Sequence, residues 1–298
     1  MRLRRGYRKY DGMEQSQSRH ILLVCKAHNL RAAVLGREMA AWLEERGHRA
    51  TCLEAGVDSP AYELPDLDFA VVLGGDGTML GVARRVARRR LPLLGINFGR
   101  VGYLADVQPE NWRQGLAECL DGRAPIREHM ALHWELRRKG EVISEGSAIN
   151  DVVLSRAAMA RLVSMDICVD KRHMCTLRSD GVLISTPLGS SGYSVSAGGP
   201  LLHPSLEALV FTPICPFLNT IPPMVFPCER HFRMKLLPGT TESYLTVDGQ
   251  EGEMLEVGDL LDVTGDVGAI RFLGNGTPFF ERLRTRGFVT PVGTGGKM

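Results

Sequence analysis

Seven cysteines are spread over 298 residues without a single C-x-x-C pair, and an odd number cannot pair completely within one chain. A disulfide framework is therefore not expected, and Cys25, Cys52, Cys168 and Cys215, in apolar or strand-like runs, are expected to act as small hydrophobes in a reducing compartment. No Cys/His cluster has zinc spacing, so no metal ligand set is expected from the protein itself. No apolar run approaches the roughly 18 residues of a membrane span; Pro213, Pro216, Pro222 and Pro223 break the longest candidate. The N-terminus is basic but has no apolar stretch behind it, so a secretory signal is not expected and the cytoplasm is the default location. Excess charge of one sign is lacking too: 36 Lys and Arg face 34 Asp and Glu, which gives no argument for nucleic acid or an acidic membrane as partner. Internal repeats and low-complexity tracts are missing.

Basic residues do cluster locally. Arg2, Arg4, Arg5, Arg8 and Lys9 form an N-terminal arm, and Arg84, Arg85, Arg88, Arg89 and Arg90 crowd one helix. Both read first as solvated surface, with an anionic ligand or a subunit contact as the sharper alternative for the helix. The length allows about two domains. Apolar runs at Ile21–Cys25, Arg49–Leu53, Phe69–Leu73 and Pro92–Ile96 predict strands. Between them, helical spacing covers Arg31–Arg46, Thr78–Arg89 and Pro109–Leu120. Such alternation predicts a parallel sheet with helices on both faces. After Asp121-Gly122 the pattern changes to short strands: Met130–Arg137, Glu141–Ser144, Asn150–Leu154, Leu162–Val169, Met174–Leu177, His231–Leu237, Tyr244–Val247, Leu255–Val263 and Ala269–Phe272. Pro278–Arg286 returns to helix. The expected organisation is a flexible basic arm over 1–19, an α/β domain over 20–122, a β-rich domain over 123–275, and a C-terminal helix and tail over 276–298 that packs back on the first domain.

The strongest local signal is Gly74-Gly75-Asp76-Gly77-Thr78, placed directly after the third strand and opening a helix. Without Cβ atoms, such a turn lets main-chain N–H groups around Gly74 to Thr78 approach a phosphate, with one carboxylate, Asp76, held in its midst. A phosphate cradle plus a positioned acid is the minimum for phosphoryl transfer to a hydroxyl. A second signal is the block from Arg178 to Pro200, rich in Gly and Ser. Its embedded apolar strand Val182–Ile184 and its prolines argue against a linker, and its glycines, hydroxyls and Tyr193 suit a flat ligand. Weaker signals are Asn150-Asp151, either a turn or a partner for ribose hydroxyls, and Asp248-Gly249-Gln250, which reads as a hairpin turn. Asn97 closes the fourth strand beside Gly99 and Gly102, either as a ligand contact or as a cap. The chain after the first strand reads Lys26-Ala27-His28-Asn29, without the G-x-G-x-x-G of a dehydrogenase.

Taken in order, these motifs resemble the NAD kinase family, the ATP- or polyphosphate-NAD kinases. The Gly-Gly-Asp-Gly-Thr turn alone is shared with lipid kinases and phosphofructokinases. Gly95-Ile96-Asn97, Ile149-Asn150-Asp151, the block from Asp180 to Pro200, and Asp248-Gly249-Gln250 narrow the resemblance, which runs from about Ile21 to the C-terminal helix. It implies a Rossmann-like N-terminal domain and a β-sandwich-like C-terminal domain with NAD held between them. It implies transfer of a γ-phosphate from ATP, or a phosphate from polyphosphate, to the 2′-hydroxyl of the adenosine ribose of NAD, giving NADP. Mg²⁺ or another divalent cation would arrive with the nucleotide, and the chain would form a homodimer or homotetramer. Carried over by position, Asp76 is the proton acceptor, with Gly77 beside it. Asn150, Asp151, Arg161, Arg178, Asp180, the run Ser191, Gly192, Tyr193, Ser194, Val195 and Ser196, and Gln250 are NAD contacts. The block departs from the family's T-P-T-G-S-T-A-Y-S at Leu188, Ser191 and Gly192, and Phe217 and Leu218 follow Cys215-Pro216 where the family often has His and Ser.

Overall fold

A computed structural model describes residues 18–56, 59–99, 104–157, 161–218, 221–239 and 242–289. The basic arm Arg2 to Lys9 and Gly102 lie outside the described residues. The chain divides into two units. The first takes in the described parts of Met1–Met79, Pro92–Arg127 and Phe272–Met298, the second Leu80–Leu91 and Glu128–Arg271.

The first unit starts with strand β1 (His20–Cys25), helix α1 (Leu30–Glu44), β2 (Arg49–Glu54) and β3 (Phe69–Gly74). Helix α2 (Asp76–Val86) begins in this unit and ends in the other, and β4 (Pro92–Asn97) and helix α3 (Trp112–Leu120) follow. The four strands are parallel in the order β2-β1-β3-β4. Every residue of β1, β3 and β4 is buried, which is why these strands read as continuous apolar runs instead of alternating ones. Helix α1 is capped by the Asn29 side chain, which accepts from the Ala32 N–H at 3.0 Å. Its buried stripe is Ala32, Gly36, Met39 and Leu43. Met39 and Leu43 join Ile21, Leu23, Phe69, Val71, Trp112 and Leu116 in one core. Trp42 meets Trp112 edge-on there, with centroids 5.5 Å apart.

The second unit is nearly all β. Its strands are β5 (Ile126–Arg138), β6 (Glu141–Ala148), β7 (Asp151–Arg156), β8 (Val163–Val169), β9 (Arg172–Ser179) and β10 (Gly181–Ser185). After a single helical turn, α4 (Tyr193–Ser196), come β11 (Ala208–Ile214), β12 (Met224–Pro227), β13 (Phe232–Leu236), β14 (Ser243–Val247), β15 (Glu251–Leu255) and β16 (Leu260–Leu273). Helix α5 (Phe279–Thr285) belongs to the first unit. One antiparallel sheet has the order β12-β11-β10-β7-β14-β15. In the other, β13 pairs with β8 and β16, β8 with β9, and β5 with β16 and β6. The inner faces of the two sheets share a core. Val152, Leu154, Val182, Ile184, Leu209 and Phe211 come from the first sheet, and Leu132, Met165, Ile167, Phe232, Met234 and Leu261 from the second. The expected α/β part and the expected antiparallel sandwich are both present.

The structure corrects several sequence-based expectations. Leu255–Val263 is not one strand: Leu255 ends β15, and the turn after it is tied by Glu256 N–H donating to Asp259 Oδ2 at 2.8 Å. Arg138 holds the same Asp259 carboxylate from β5 at 3.0 and 2.8 Å. Strand β16 then runs 14 residues through Gly265 and Gly268, where the sequence suggests a break. Strands β11 and β12 were not expected at all. Pro213 looks like a breaker but lies within β11, opposite Val182 of β10. Cys52 and Cys215 are exposed and are not core hydrophobes, and Cys215 sits in the left-handed region at φ 46°. Cys25 and Cys119 are buried, and burial pushes their thiols up to about 11 and about 12, so both stay protonated. Among the described residues, no helix is long and apolar enough to cross a membrane.

Phe211 stacks on Phe232 across the sandwich, centroids 6.1 Å apart, with both rings fully buried. Phe211→Ala should lower unfolding stability by roughly 3–5 kcal/mol in urea denaturation. A loss below about 1 kcal/mol would show that this contact does not hold the two sheets together.

Candidate functional site

Strand β3 delivers the chain to Gly74 with no exposed residue, and at Gly74 there is no room for a side chain. A Cβ on Gly74 would stand 2.5 Å from the Thr78 side chain. Asp76 opens α2, where a carboxylate also favours the helix dipole. It is half-buried, and its Oδ1 accepts from the Leu104 N–H at 2.9 Å. Gly77 is exposed, Gly75 and Thr78 half-exposed. The neighbouring strand end backs onto this turn: Phe98 N–H donates to the Gly74 carbonyl at 3.0 Å, and a Cβ on Gly99 would come within 3.8 Å of Gly75 Cα. Asn97 is buried, and its Oδ1 accepts from Gly99 N–H at 2.8 Å. Asp106, which no motif marks, is a second carboxylate within electrostatic reach of Asp76. Burial pushes its carboxyl up, against the pull of Arg127, whose Nη2 lies 2.6 Å away.

In the second unit, Asn150-Asp151 is held from three directions. The Asp248 carboxylate collects consecutive backbone N–H groups: Ile149 at 3.1 and 3.0 Å on its two oxygens, Asn150 at 2.7 Å and Asp151 at 3.1 Å. Thr186 Oγ1 donates to the Ile149 carbonyl at 2.6 Å, and Thr186 N–H to the Asn150 carbonyl at 2.9 Å. Gly189 lies flat against Asn150, where a Cβ would stand 2.2 Å from its carbonyl oxygen. Arg84, on α2, reaches Asp248 Oδ2 at 3.2 Å, Gln250 Oε1 at 3.0 Å and Glu251 Oε1 at 2.9 Å. Asn150, Asp151 and Gln250 therefore belong to one bonded cluster, completed by Arg84 and Asp248. Asp151 is buried, and burial, reinforced by the charge of Asp248, pushes its carboxyl up to about 7.

The Ser/Gly block continues from Gly189. Ser191 and Ser194 are buried, the latter 3.3 Å from Thr212 Oγ1. Gly192 and Val195 are half-buried, while Tyr193 and Ser196 are exposed. Leu188, at the position where the family often has threonine, is buried. Arg178 and Asp180 are not brought to this cluster within the chain. Asp151 pairs with Ser185 at one end of β10 and Ser155 with Gly181 at the other. Asp180 thus lies about 16 Å along the strand from Asp151. It is paired there with Arg156 at 2.8 Å, a partner no motif reveals. Arg178 lies over the exposed Phe217 ring at 5.7 Å. Leu218 beside it is exposed, and Arg161 is exposed ahead of β8.

Among the described residues, the His, Cys and carboxylate side chains close enough to share a metal are His133, Glu135 and Glu145. Arg137 already pairs with Glu135, and Arg88 with Glu145 at 2.8 Å, so the group is poorly suited to a cation. His129 and His133 have the spacing of a helical metal pair but lie on β5, where four residues span about 13 Å.

The family model for the ATP-NAD kinase N-terminal domain matches residues 58–124, and that for the ATP-NAD kinase C-terminal domain matches residues 149–273. The NAD kinase of Nitratidesulfovibrio vulgaris (strain Miyazaki F) is 41% identical over 274 residues, covering 91% of this chain and 97% of that protein. The NAD kinase of Oleidesulfovibrio alaskensis is 42% identical over 283 residues, covering 93% and 96%. Among solved structures, yeast NADH kinase complexed with NADH shares the fold at TM-score 0.78 and 24% identity over 94% of this chain and 91% of that one. An NAD kinase from Archaeoglobus fulgidus in complex with ATP superposes at TM-score 0.68 and 25% identity over 86% and 94%.

Two tests address the cluster around Asn150. Gly189→Ala forces a Cβ into backbone that cannot swing aside, so stability should fall by roughly 1–3 kcal/mol; an unchanged thermal midpoint would show that the close approach is not real. For Asp151, the folded protein keeps a proton that the unfolded chain releases near 3.8. Its stability contribution is therefore full below that pH and is lost as pH rises through about 7. Between about pH 5 and about pH 8, Asp151→Asn should gain on the order of 2–3 kcal/mol relative to the parent. A stability difference that stays constant with pH would mean that Asp151 titrates normally.

Proposed function

The chain belongs to the NAD kinase family, and from that premise we propose that it phosphorylates the 2′-hydroxyl of the adenosine ribose of NAD with the γ-phosphate of ATP, or a phosphate of polyphosphate, to give NADP. The observation that carries the reading is Asp76: a carboxylate at the start of a helix, behind a glycine turn, with one oxygen tied by the Leu104 N–H. A sugar hydroxyl is a poor nucleophile at neutral pH. Asp76 orients it and takes its proton as the oxygen bonds to the γ-phosphorus, and the bond to the β–γ bridging oxygen breaks to release ADP. Main-chain N–H groups of Gly74, Gly75, Gly77 and Thr78 serve the donor's phosphates, and a charge spread over phosphate oxygens is the kind that such dipoles stabilise.

Mg²⁺, arriving with the donor, would supply charge neutralisation for its phosphates. The turn offers a single carboxylate, Asp76, and that suits a metal carried in with the nucleotide and keeping several waters, not a protein cage. On the acceptor, Asn150 and Asp151 bind the dinucleotide, with Gln250 as a further contact. Arg161, Arg178, Asp180 and the Ser191–Ser196 run complete the proposed set, with Asn97 as a further candidate ligand contact. The ATP-bound and NADH-bound relatives support the two substrate classes.

Asp76→Asn should cut NADP formation from NAD and MgATP by roughly a hundred- to ten-thousand-fold while leaving the affinity for NAD within about twofold. Near-normal turnover in that variant would remove Asp76 from the role of base. Running the assay with polyphosphate in place of ATP reads the donor range directly.

A further inference from the structure

We propose that Asp248, neutralised by Arg84, is a positioning residue that sets the main chain under Asn150 and Asp151 for dinucleotide binding; this rests on the reading that those two residues contact NAD. Asp248 and Gly249 have φ of 50° and 64°, as in a tight hairpin, and β14 and β15 pair on either side of them, Val247 opposite Glu251. Backbone shape alone does not require a carboxylate there, because asparagine adopts that conformation as readily. The difference lies in what the side chain meets. It is fully buried, and it meets donors: the N–H groups of Ile149, Asn150 and Asp151 and the guanidinium of Arg84. An ionised carboxylate accepts at both oxygens, whereas an asparagine amide would turn an NH₂ towards one of those donors.

The arrangement is also closed from the other side. Arg84 is nearly as buried as Asp248 and supplies the cation beside it, while its other arm pairs with the exposed Glu251 at 2.9 Å. The same guanidinium holds the Gln250 amide oxygen, so one cation orders Gln250 directly and Asn150-Asp151 through Asp248. The return bond, Asp248 N–H to the Asp151 carbonyl at 2.9 Å, leaves the two turns little freedom to move separately. Burial raises the Asp151 carboxyl, and its proximity to Asp248 adds to that rise.

The test is steady-state kinetics of the full chain with NAD and MgATP for Asp248→Asn, Arg84→Met, the double variant and Asn150→Ala. Asp248→Asn and Arg84→Met should each raise KM for NAD by roughly 10- to 100-fold, with kcat and KM for ATP changed far less. The double variant should be little worse than the poorer single one, as expected of groups acting through one contact. A purely structural role would lower the active fraction, hence kcat, and leave KM unmoved. Should Asp248→Asn not fold, Arg84→Lys, which keeps the charge but not the three-way reach, should show an intermediate KM. Folded variants at Asp248 and Arg84 with the parent KM for NAD, beside an Asn150→Ala variant whose KM is raised, would overturn the positioning role alone. An unchanged KM in Asn150→Ala would instead remove the substrate reading on which it rests.

Discussion

A carboxylate that gathers consecutive main-chain N–H groups is the constraint around which the second unit's site is organised. Asp248 stands 97 to 99 positions from the amides it receives and 164 from the guanidinium that balances it. A buried anion with this many donors is worth more than a neutral hydrogen-bond set, and removing any one member leaves others buried without a partner. The strands on either side owe their packing to hydrophobic burial. The turn between β6 and β7 is held by this carboxylate together with Thr186 and the close approach of Gly189.

Glycine does the complementary work wherever two backbones must touch. Gly189 presses on Asn150, Gly74 on Thr78, and Gly95 on Ala105, where a Cβ would stand 2.6 Å from the Ala105 Cα. The contact of Gly189 with Asn150 joins segments distant in sequence. At these positions a neighbour fills the place of the missing side chain: main chain at Gly189 and Gly95, the Thr78 side chain at Gly74.

The parallel strands and their helices are legible in the sequence because their signal is local. β1, β3 and β4 are buried throughout and read as uninterrupted apolar runs, and α1 shows its stripe at helical spacing. β16 is not legible as one strand because Gly265 and Gly268 look like punctuation. In the structure Gly265 instead lets the Cys228 carbonyl approach, at a point where a Cβ would be 2.7 Å away. β11 is hidden by Pro213 for the same kind of reason. Asp76 in the first unit, and Asn150 and Asp151 in the second, stand out from motif chemistry. Arg84 looks like one of five surface arginines, Arg156 like the end of a strand, and Asp248 like an ordinary hairpin residue. Their roles depend on partners 24 to 164 positions away, which no window of sequence contains.

β7 is flanked on both edges, by β10 and by β14, and Asp151 is its first residue. Side chains along a strand alternate between faces, so a single residue inserted between Ile149 and Arg156 would send Val152 and Leu154 outwards and pull polar neighbours into the sandwich. Two ladders would have to slip together to absorb it. Length variation should therefore be tolerated at exposed hairpin tips such as Lys139-Gly140 and refused along this segment, which makes the distance from Asn150 to the end of β7 a ruler for the whole sheet.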